Sequence, residues 1–316
     1  MNIYNKEIRK VGIIGAGAMG SFYAKAFFDR DRDKVFLVAT GERYERIRRD
    51  GIVVNDAAYH IPIECPDGTS PTIADLMIVA VKNHHLDQVI DDMRPFIGKE
   101  TLILSVMNGI DSEKRLGAVY GMERMLYGVA VGIDAVRMGN KTNYSGQGTL
   151  FFGRAYNVPL SDTVKTVQQS FDAAGIVYET PADMIRTLWW KFMINVGINQ
   201  SSAVLRAPYG VFQQSAEARH LMDSAMREVV DVADAAGIDI TGDDVDQWYD
   251  FMGKLSPAGK TSMLQDVEAC RKTEVEIFSG TMITLGEKYG IPTPVNRTLY
   301  SILTVTEHEY LRRGRG

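Results

Sequence analysis

The sequence predicts an α/β protein in two parts, a doubly wound parallel sheet over residues 1–180 and an all-helical unit over residues 181–316. Short Val/Ile/Leu-rich runs alternate with helical patterns through the first half: Val11–Ile14, Val35–Ala39, Leu76–Val81, Leu102–Ser105 and Leu126–Val131. That alternation is what a parallel sheet covered by helices requires. From about Thr180 the strand runs stop, while helical periodicity begins near Pro181 and continues to Arg312. At 316 residues the chain also exceeds what one core usually supports.

The first run leads into Gly15-Ala16-Gly17-Ala18-Met19-Gly20, and the small-residue stretch Ser21 to Phe28 follows as a helix. Strand, glycine-rich turn and helix in that order form a dinucleotide site of Rossmann type. Gly15 turns the chain out of the strand, Gly17 lets backbone N–H groups reach a pyrophosphate, and Gly20 packs helix against sheet. About twenty residues on, NAD enzymes place an acidic residue on the ribose. Here Thr40 stands at that point, followed by Gly41-Glu42-Arg43. Arg43 or Arg46 pairing with a 2′-phosphate makes the cofactor NADPH; the alternative leaves both arginines on a solvated face and gives the ribose to Glu42. Further along, Ile52–Val54 and Tyr59–Ile63 flank Asn55-Asp56 as a small hairpin. Asp134–Arg137 and Thr149–Phe152, on either side of the polar 139–143 segment, read as an antiparallel pair extending the sheet. Lys82 and Asn108 follow two of the strand runs, where loops at strand carboxyl ends line the ligand crevice. His84 and His85 sit at a helix start, where capping or exposure explains them equally well.

In the second half, Lys191, Asn195 and Asn199 recur every four residues within the otherwise apolar stretch Leu188 to Asn199. On a helix this aligns one ammonium and two carboxamides on a narrow face. Burying them without partners costs several kcal/mol, so the face is expected to look into a polar cleft between the two parts. Ser262 and Gln265 have capping-box spacing, and Thr273 and Glu274 are expected further down the same helix.

The chain carries 35 basic and 40 acidic residues, a net charge of −5, which argues against nucleic acid or an anionic membrane as the main partner. Its two cysteines, Cys65 and Cys270, have neither disulfide-framework nor zinc spacing. With no signal-like apolar leader and no run of ~20 apolar residues, a cytoplasmic location is expected. The long helical patterns from Ala216 to Ala236 and from Asn296 to Arg312 either supply a homodimer surface or complete the second core.

Taken together, these residues resemble the ketopantoate reductase family, the NADPH-dependent 2-dehydropantoate 2-reductases of pantothenate and coenzyme A synthesis. The resemblance covers nearly the whole chain. It rests on Gly15 to Gly20, Val81-Lys82, Asn108-Gly109, Lys191 through Asn199 with the following Ser202 to Gly210, and Ser262 to Asp266 with Thr273-Glu274. It implies a catalytic lysine at Lys191, a carboxylate at Glu274, and substrate-binding groups at Asn195, Asn199 and Ser262. Lys82 and Asn108 are implied to lie beside cofactor and substrate. The chain departs from the family pattern at Thr40, often arginine, at Met107, often glutamine, and at Gln200, often proline. The expected reaction is hydride transfer to the carbonyl of a 2-oxo acid, with Lys191 as proton donor. A reductase of the same family acting on another 2-oxo acid is the nearest alternative, and a non-catalytic NADP-sensing protein is the second.

Overall fold

A computed structural model of the chain describes residues 7–133, 135–138, 141–144 and 146–313. The chain divides into two compact units, one running to Thr187 and the other starting at Leu188.

The first unit contains the strands β1 (Val11–Ile14), β2 (Val35–Val38), β3 (Ile52–Val54), β4 (Ala57–Tyr59), β5 (Ile63–Glu64), β6 (Ala74–Val79), β7 (Ile97–Ser105), β8 (Met125–Val131), β9 (Ala135–Met138), β10 (Lys141–Tyr144), β11 (Thr149–Gly153) and β12 (Tyr178–Glu179). Its helices are α1 (Ala18–Arg30), α2 (Gly41–Asp50), α3 (Leu86–Asp92), α4 (Ser112–Tyr120) and α5 (Asp162–Ala174). The main sheet has the order β12-β11-β8-β7-β6-β1-β2-β5. Pairing is parallel from β5 through β8; β11 then runs antiparallel to β8. The chain leaves β1 for β2 on one side and returns to β6 on the other, so the order reverses between β1 and β6, where Rossmann sheets bind ligands.

Both faces of this sheet are covered, and the period-two rule is visible residue by residue. Val11, Ile13, Val35, Leu37, Leu76 and Ile78 enter one core cluster. Their neighbours Ile14, Phe36, Val38, Met77 and Val79 enter the other. Every position of β1 and β2 is buried, which is why these strands read as continuous apolar runs.

Two expectations for this unit need correction. Asn55 (φ 47°) and Asp56 (φ 63°) do turn the β3–β4 hairpin, both in the left-handed region. Its second strand, however, ends at Tyr59, and Ile63-Glu64 pairs in parallel with β2 in the main sheet. Likewise Thr149–Gly153 pairs with β8, whereas β9 pairs with β10, drawn from the segment expected to be a polar connection. The expected element at Asp134 and the connection at Gly139-Asn140 lie outside the described residues. The second sheet, β4-β3-β10-β9, packs against α1: the Phe22 and Tyr144 rings meet edge-on at 5.0 Å, and Phe28 meets Tyr59 at 6.2 Å.

Among the described residues no strand follows β12. The helices are α6 (Met184–Ile194), α7 (Gln200–Leu205), α8 (Tyr209–Gln214), α9 (Ala216–Ala235), α10 (Gly242–Met252), α11 (Ser262–Glu268), α12 (Thr281–Tyr289) and α13 (Pro294–Arg313), with π-turns at Asn195–Asn199 and Glu276–Gly280. Helix α9 is capped by Ser215 and buries Met222, Ala225, Met226, Val229, Val232 and Ala233, one stripe at helical spacing. Against it pack α8, α10, α12, α13 and the first π-turn.

Candidate active site

In the first unit the glycine-rich turn lies at the carboxyl end of β1, beside the ends of β6 and β7. Ala80 donates its N–H to Ile14, and Val106 donates to Val79, at 2.9 and 3.0 Å. Gly15 has φ +102°, and a Cβ there would stand 2.5 Å from the Ala80 carbonyl oxygen. At Gly20 a Cβ would lie 2.0 Å from the Gly15 oxygen, so the turn and α1 approach each other too closely for any side chain. Gly17 caps α1 with no side chain over it, and Ala18 and Met19 form the helix start. A backbone cradle over a helix N-terminus suits a pyrophosphate.

At the end of β2, exposed Thr40 is the N-cap residue of α2 and makes no side-chain capping bond. Arg43, one turn on, points back at the glycine-rich turn: its Nη2 donates to the Ala16 carbonyl at 3.3 Å. Its Nε is buried with no hydrogen-bond partner. Burial and the neighbouring Arg46 hold the Arg43 guanidinium below its ordinary pKa. A buried donor without an acceptor, beside a second cation, is a place for an anion. Arg46 and Glu42 are both exposed. The first unit thus fits a dinucleotide, with Arg43 as the arginine that reaches the glycine-rich turn.

Lys82 and Asn108, both half-buried, stand just past β6 and β7. Lys82 precedes the short helical turn Asn83–His85, in which His84 and His85 are exposed. At the end of β7 lies a buried polar cluster that sequence reasoning missed. Ser105 and Ser112 share a 2.8 Å hydrogen bond, Ser112 also donates to Glu113 at 3.0 Å, and the Met107 N–H donates to the Ser105 hydroxyl at 3.4 Å. Burial pushes the Glu113 carboxyl up to about 7, against the pull of hydrogen bonds from Ser112 and from backbone N–H groups. The available signal was spacing: Glu113, Leu116 and Gly117 share one helix face, and all three are buried.

In the second unit Lys191 lies in the last turn of α6, and Asn195 and Asn199 open and close the π-turn that continues it. An α-helical step of four residues overshoots one turn by about 40°. The wider π-turn undershoots instead, so Asn199 swings back towards the line of Lys191. Asn199 Nδ2 donates to Asn195 Oδ1 at 3.3 Å and to Ser262 Oγ at 3.5 Å, the long end of hydrogen bonding. Both asparagines are buried, at 3% and 7% exposure, while Ser262 is exposed. Lys191 keeps part of its surface, yet burial alone pushes its pKa down to about 8.

The α11 region departs from expectation in two ways. Thr261, not Ser262, is the cap: its hydroxyl accepts from Leu264 N–H at 3.1 Å and donates to Ser202 at 3.2 Å. Ser262 is therefore the first residue of the helix, and its hydroxyl is not needed as a cap. The helix ends at Glu268; Cys270 turns left-handed (φ 52°), and Arg271 N–H bonds back to the Asp266 carbonyl at 2.8 Å. Glu274 thus sits on a separate, non-helical segment, half-buried. Its neighbour Thr273 is fixed by Glu307 of α13, which accepts from Thr273 N at 2.8 Å and from its hydroxyl at 2.7 Å. The π-turn that follows packs against the π-turn of Asn195–Asn199.

Fold and site together define a two-unit protein: a Rossmann-type unit built to hold a dinucleotide, and a helical unit presenting a desolvated lysine beside two carboxamides. The family model for ketopantoate reductase PanE/ApbA matches residues 11–157, and that for the ketopantoate reductase PanE/ApbA C terminal matches residues 183–307. The chain belongs to the ketopantoate reductase family, a family of oxidoreductases. A 2-dehydropantoate 2-reductase of Aquifex aeolicus is 25% identical over 307 residues, spanning 95% of this chain and 97% of that one. Two solved structures share the fold. D-mandelate dehydrogenase with NADH and anilino(oxo)acetate has TM-score 0.86 and 22% identity, over 95% of this chain and 99% of that one. The dimeric ketopantoate reductase of Staphylococcus aureus has TM-score 0.78 and 22% identity, with the same coverage of 95% and 99%. Among the described residues no helix is long and apolar enough to cross a membrane, and no cluster of His, Cys, Asp and Glu could hold a metal ion.

Proposed function

We propose that this chain is an NADPH-dependent 2-dehydropantoate 2-reductase, which reduces the C2 carbonyl of 2-dehydropantoate to give pantoate for pantothenate and coenzyme A biosynthesis. The observation that carries the reading is Lys191, an ammonium with its pKa pushed down to about 8 by burial, continuous with a turn that pairs Asn195 and Asn199. When bound, NADPH supplies the hydride. The growing charge on the carbonyl oxygen is met by Lys191, which donates a hydrogen bond and then the proton. Asn195, Asn199 and Ser262 hold the substrate carboxylate and hydroxyl as neutral donors, leaving the one positive charge at the reacting oxygen. Glu274 is assigned to orient Lys191 or the substrate hydroxyl.

For the cofactor, Gly15, Ala16, Gly17, Ala18, Met19 and Gly20 take the pyrophosphate, and Arg43, beside Thr40, takes the 2′-phosphate with its unpartnered Nε. Lys82 and Asn108 are assigned to the nicotinamide end, with Asn108 also reaching the substrate. A cytoplasmic location accords with free thiols at both Cys65 and Cys270. A homodimer accords with the Staphylococcus aureus relative, and sedimentation velocity giving a monomer at micromolar concentration rules it out.

A second reading, reduction of a different 2-oxo acid, is favoured by the likeness to D-mandelate dehydrogenase. Initial rates of NADPH oxidation with 2-dehydropantoate, pyruvate, 2-oxoisovalerate and phenylglyoxylate separate the two. A pocket fitted to a branched, hydroxylated acid should lose most of its rate with pyruvate. A dominant rate with phenylglyoxylate selects the second reading. Tight NADPH binding with no turnover of any acid leaves a nucleotide-sensing role.

A further inference from the structure

The core of the second unit holds a directional chain of hydrogen bonds that the reaction above leaves unused. Glu228 of α9, buried at 7% exposure, accepts from Val295 N at 2.7 Å, Asn296 N at 3.0 Å and Asn296 Nδ2 at 2.8 Å. A carboxylate that only accepts forces the Asn296 amide to turn its NH₂ towards Glu228 and its oxygen away. That oxygen accepts from Gln200 Nε2 at 3.3 Å, and the same nitrogen donates to the Val196 carbonyl at 2.8 Å. Gln200 Oε1 is left as an acceptor, and it receives Ser279 N at 3.1 Å and the Ser279 hydroxyl at 2.5 Å. The Ser279 hydroxyl also lies 3.1 Å from Asn296 Oδ1.

The two ends of the Gln200 side chain therefore land on the two π-turns. Val196 belongs to the turn that carries Asn195 and Asn199, and Ser279 to the turn that begins two residues after Glu274. Gln200 has 0% exposure, and both ends of its amide are bonded. Such a side chain fixes geometry as well as filling space. π-Turns depart from the α-helical ladder and need support from outside it.

We propose that Gln200 is a positioning residue for the substrate half of the site, locking the turn of Asn195 and Asn199 in register with the turn that follows Glu274. Its kinetic consequence rests on the 2-oxo acid reductase reading; its structural consequence does not. Gln200→Met keeps length and volume while removing donor and acceptor. In the full chain with NADPH bound, hydrogen exchange should show residues 195–201 and 276–280 losing protection together, with α10 unchanged. The KM for 2-dehydropantoate should rise about tenfold while the KM for NADPH stays within about twofold. Ser279→Ala, a milder change, should deprotect the same two turns and raise the substrate KM about threefold; it decides the matter if the methionine variant does not fold. A lowered melting temperature with both KM values unchanged, or deprotection confined to one turn, overturns the proposal. A wild type that turns over no 2-oxo acid removes the reductase reading, and the paired deprotection still decides the coupling of the turns.

Discussion

On the function proposed above, reduction depends on a proton held by Lys191, and burial of that lysine lowers the pH at which the proton is lost. Lysine ordinarily titrates near 10.5, and burial brings Lys191 down to about 8. That lowering corresponds to about 3 kcal/mol of disfavoured charge. Because the folded value lies below the unfolded one, the charged lysine costs stability at pH below 8, and that cost is relieved between pH 8 and about 10.5. The same shift serves the chemistry: the group is still protonated at pH 7 and is a far stronger acid than an ordinary lysine. The kcat/KM for 2-dehydropantoate, which reports the groups of the enzyme before that substrate binds, taken from pH 6 to 10, should be flat at low pH and fall about tenfold per unit above about 8. Lys191→Ala should lose that limb and about 10²–10⁴ in kcat while binding NADPH as tightly as the wild type. A wild-type rate independent of pH up to 10, or an alanine variant with the parental rate and profile, refutes the reasoning.

Other residues give further expectations. Arg43→Ala should weaken NADPH about thirtyfold, the loss of about 2 kcal/mol from a charge-assisted hydrogen bond, and leave NADH nearly unchanged; fluorescence titration with both nucleotides checks this, and equal losses for the two would remove Arg43 from the 2′-phosphate. Glu113 holds its proton up to about pH 7 in the folded protein, against 4.5 for an ordinary glutamate. Its contribution to stability is therefore complete below pH 4.5 and is lost as the pH rises through 7, about 3 kcal/mol in all. Denaturant unfolding at pH 5 and pH 8 should show a change between the two pH values smaller by about that amount in Glu113→Gln; identical changes in both proteins count against it. Gly20→Ala should disrupt the glycine-rich turn and destabilise the first unit by more than about 2 kcal/mol, because its Cβ has no space beside the Gly15 oxygen. A variant with parental melting temperature and nucleotide affinity contradicts that.

How far the sequence could be read depended on whether each signal was local. The buried strands of the main sheet announced themselves as apolar runs, and the Gly15-to-Gly20 turn carried its own context of strand before and helix after. The parallel pairing of Ile63-Glu64 with β2, by contrast, depends on a distant partner, and nothing in the hairpin sequence reveals it. The four-residue spacing of Lys191, Asn195 and Asn199 marked a polar stripe, but spacing alone does not distinguish an α-turn from the π-turn that occurs there. The capping-box spacing of Ser262 with Gln265 pointed to Ser262, whereas the bond from Leu264 N–H makes its neighbour Thr261 the cap. The break before Glu274 depends on a left-handed Cys270, a conformation that residue type gives no reason to expect. Arg43 was legible as one of two arginines; its contact with Ala16 distinguishes it from Arg46.

Hydride transfer to a 2-oxo acid is tested most directly by incubating the protein with [4,4-²H₂]NADPH and 2-dehydropantoate and analysing the product by mass spectrometry. Pantoate carrying one deuterium at C2, formed in proportion to NADPH consumed and strongly reduced in Lys191→Ala, is the result predicted. NADPH consumed without deuterated pantoate, or no consumption despite demonstrable binding of both ligands, would contradict the assignment.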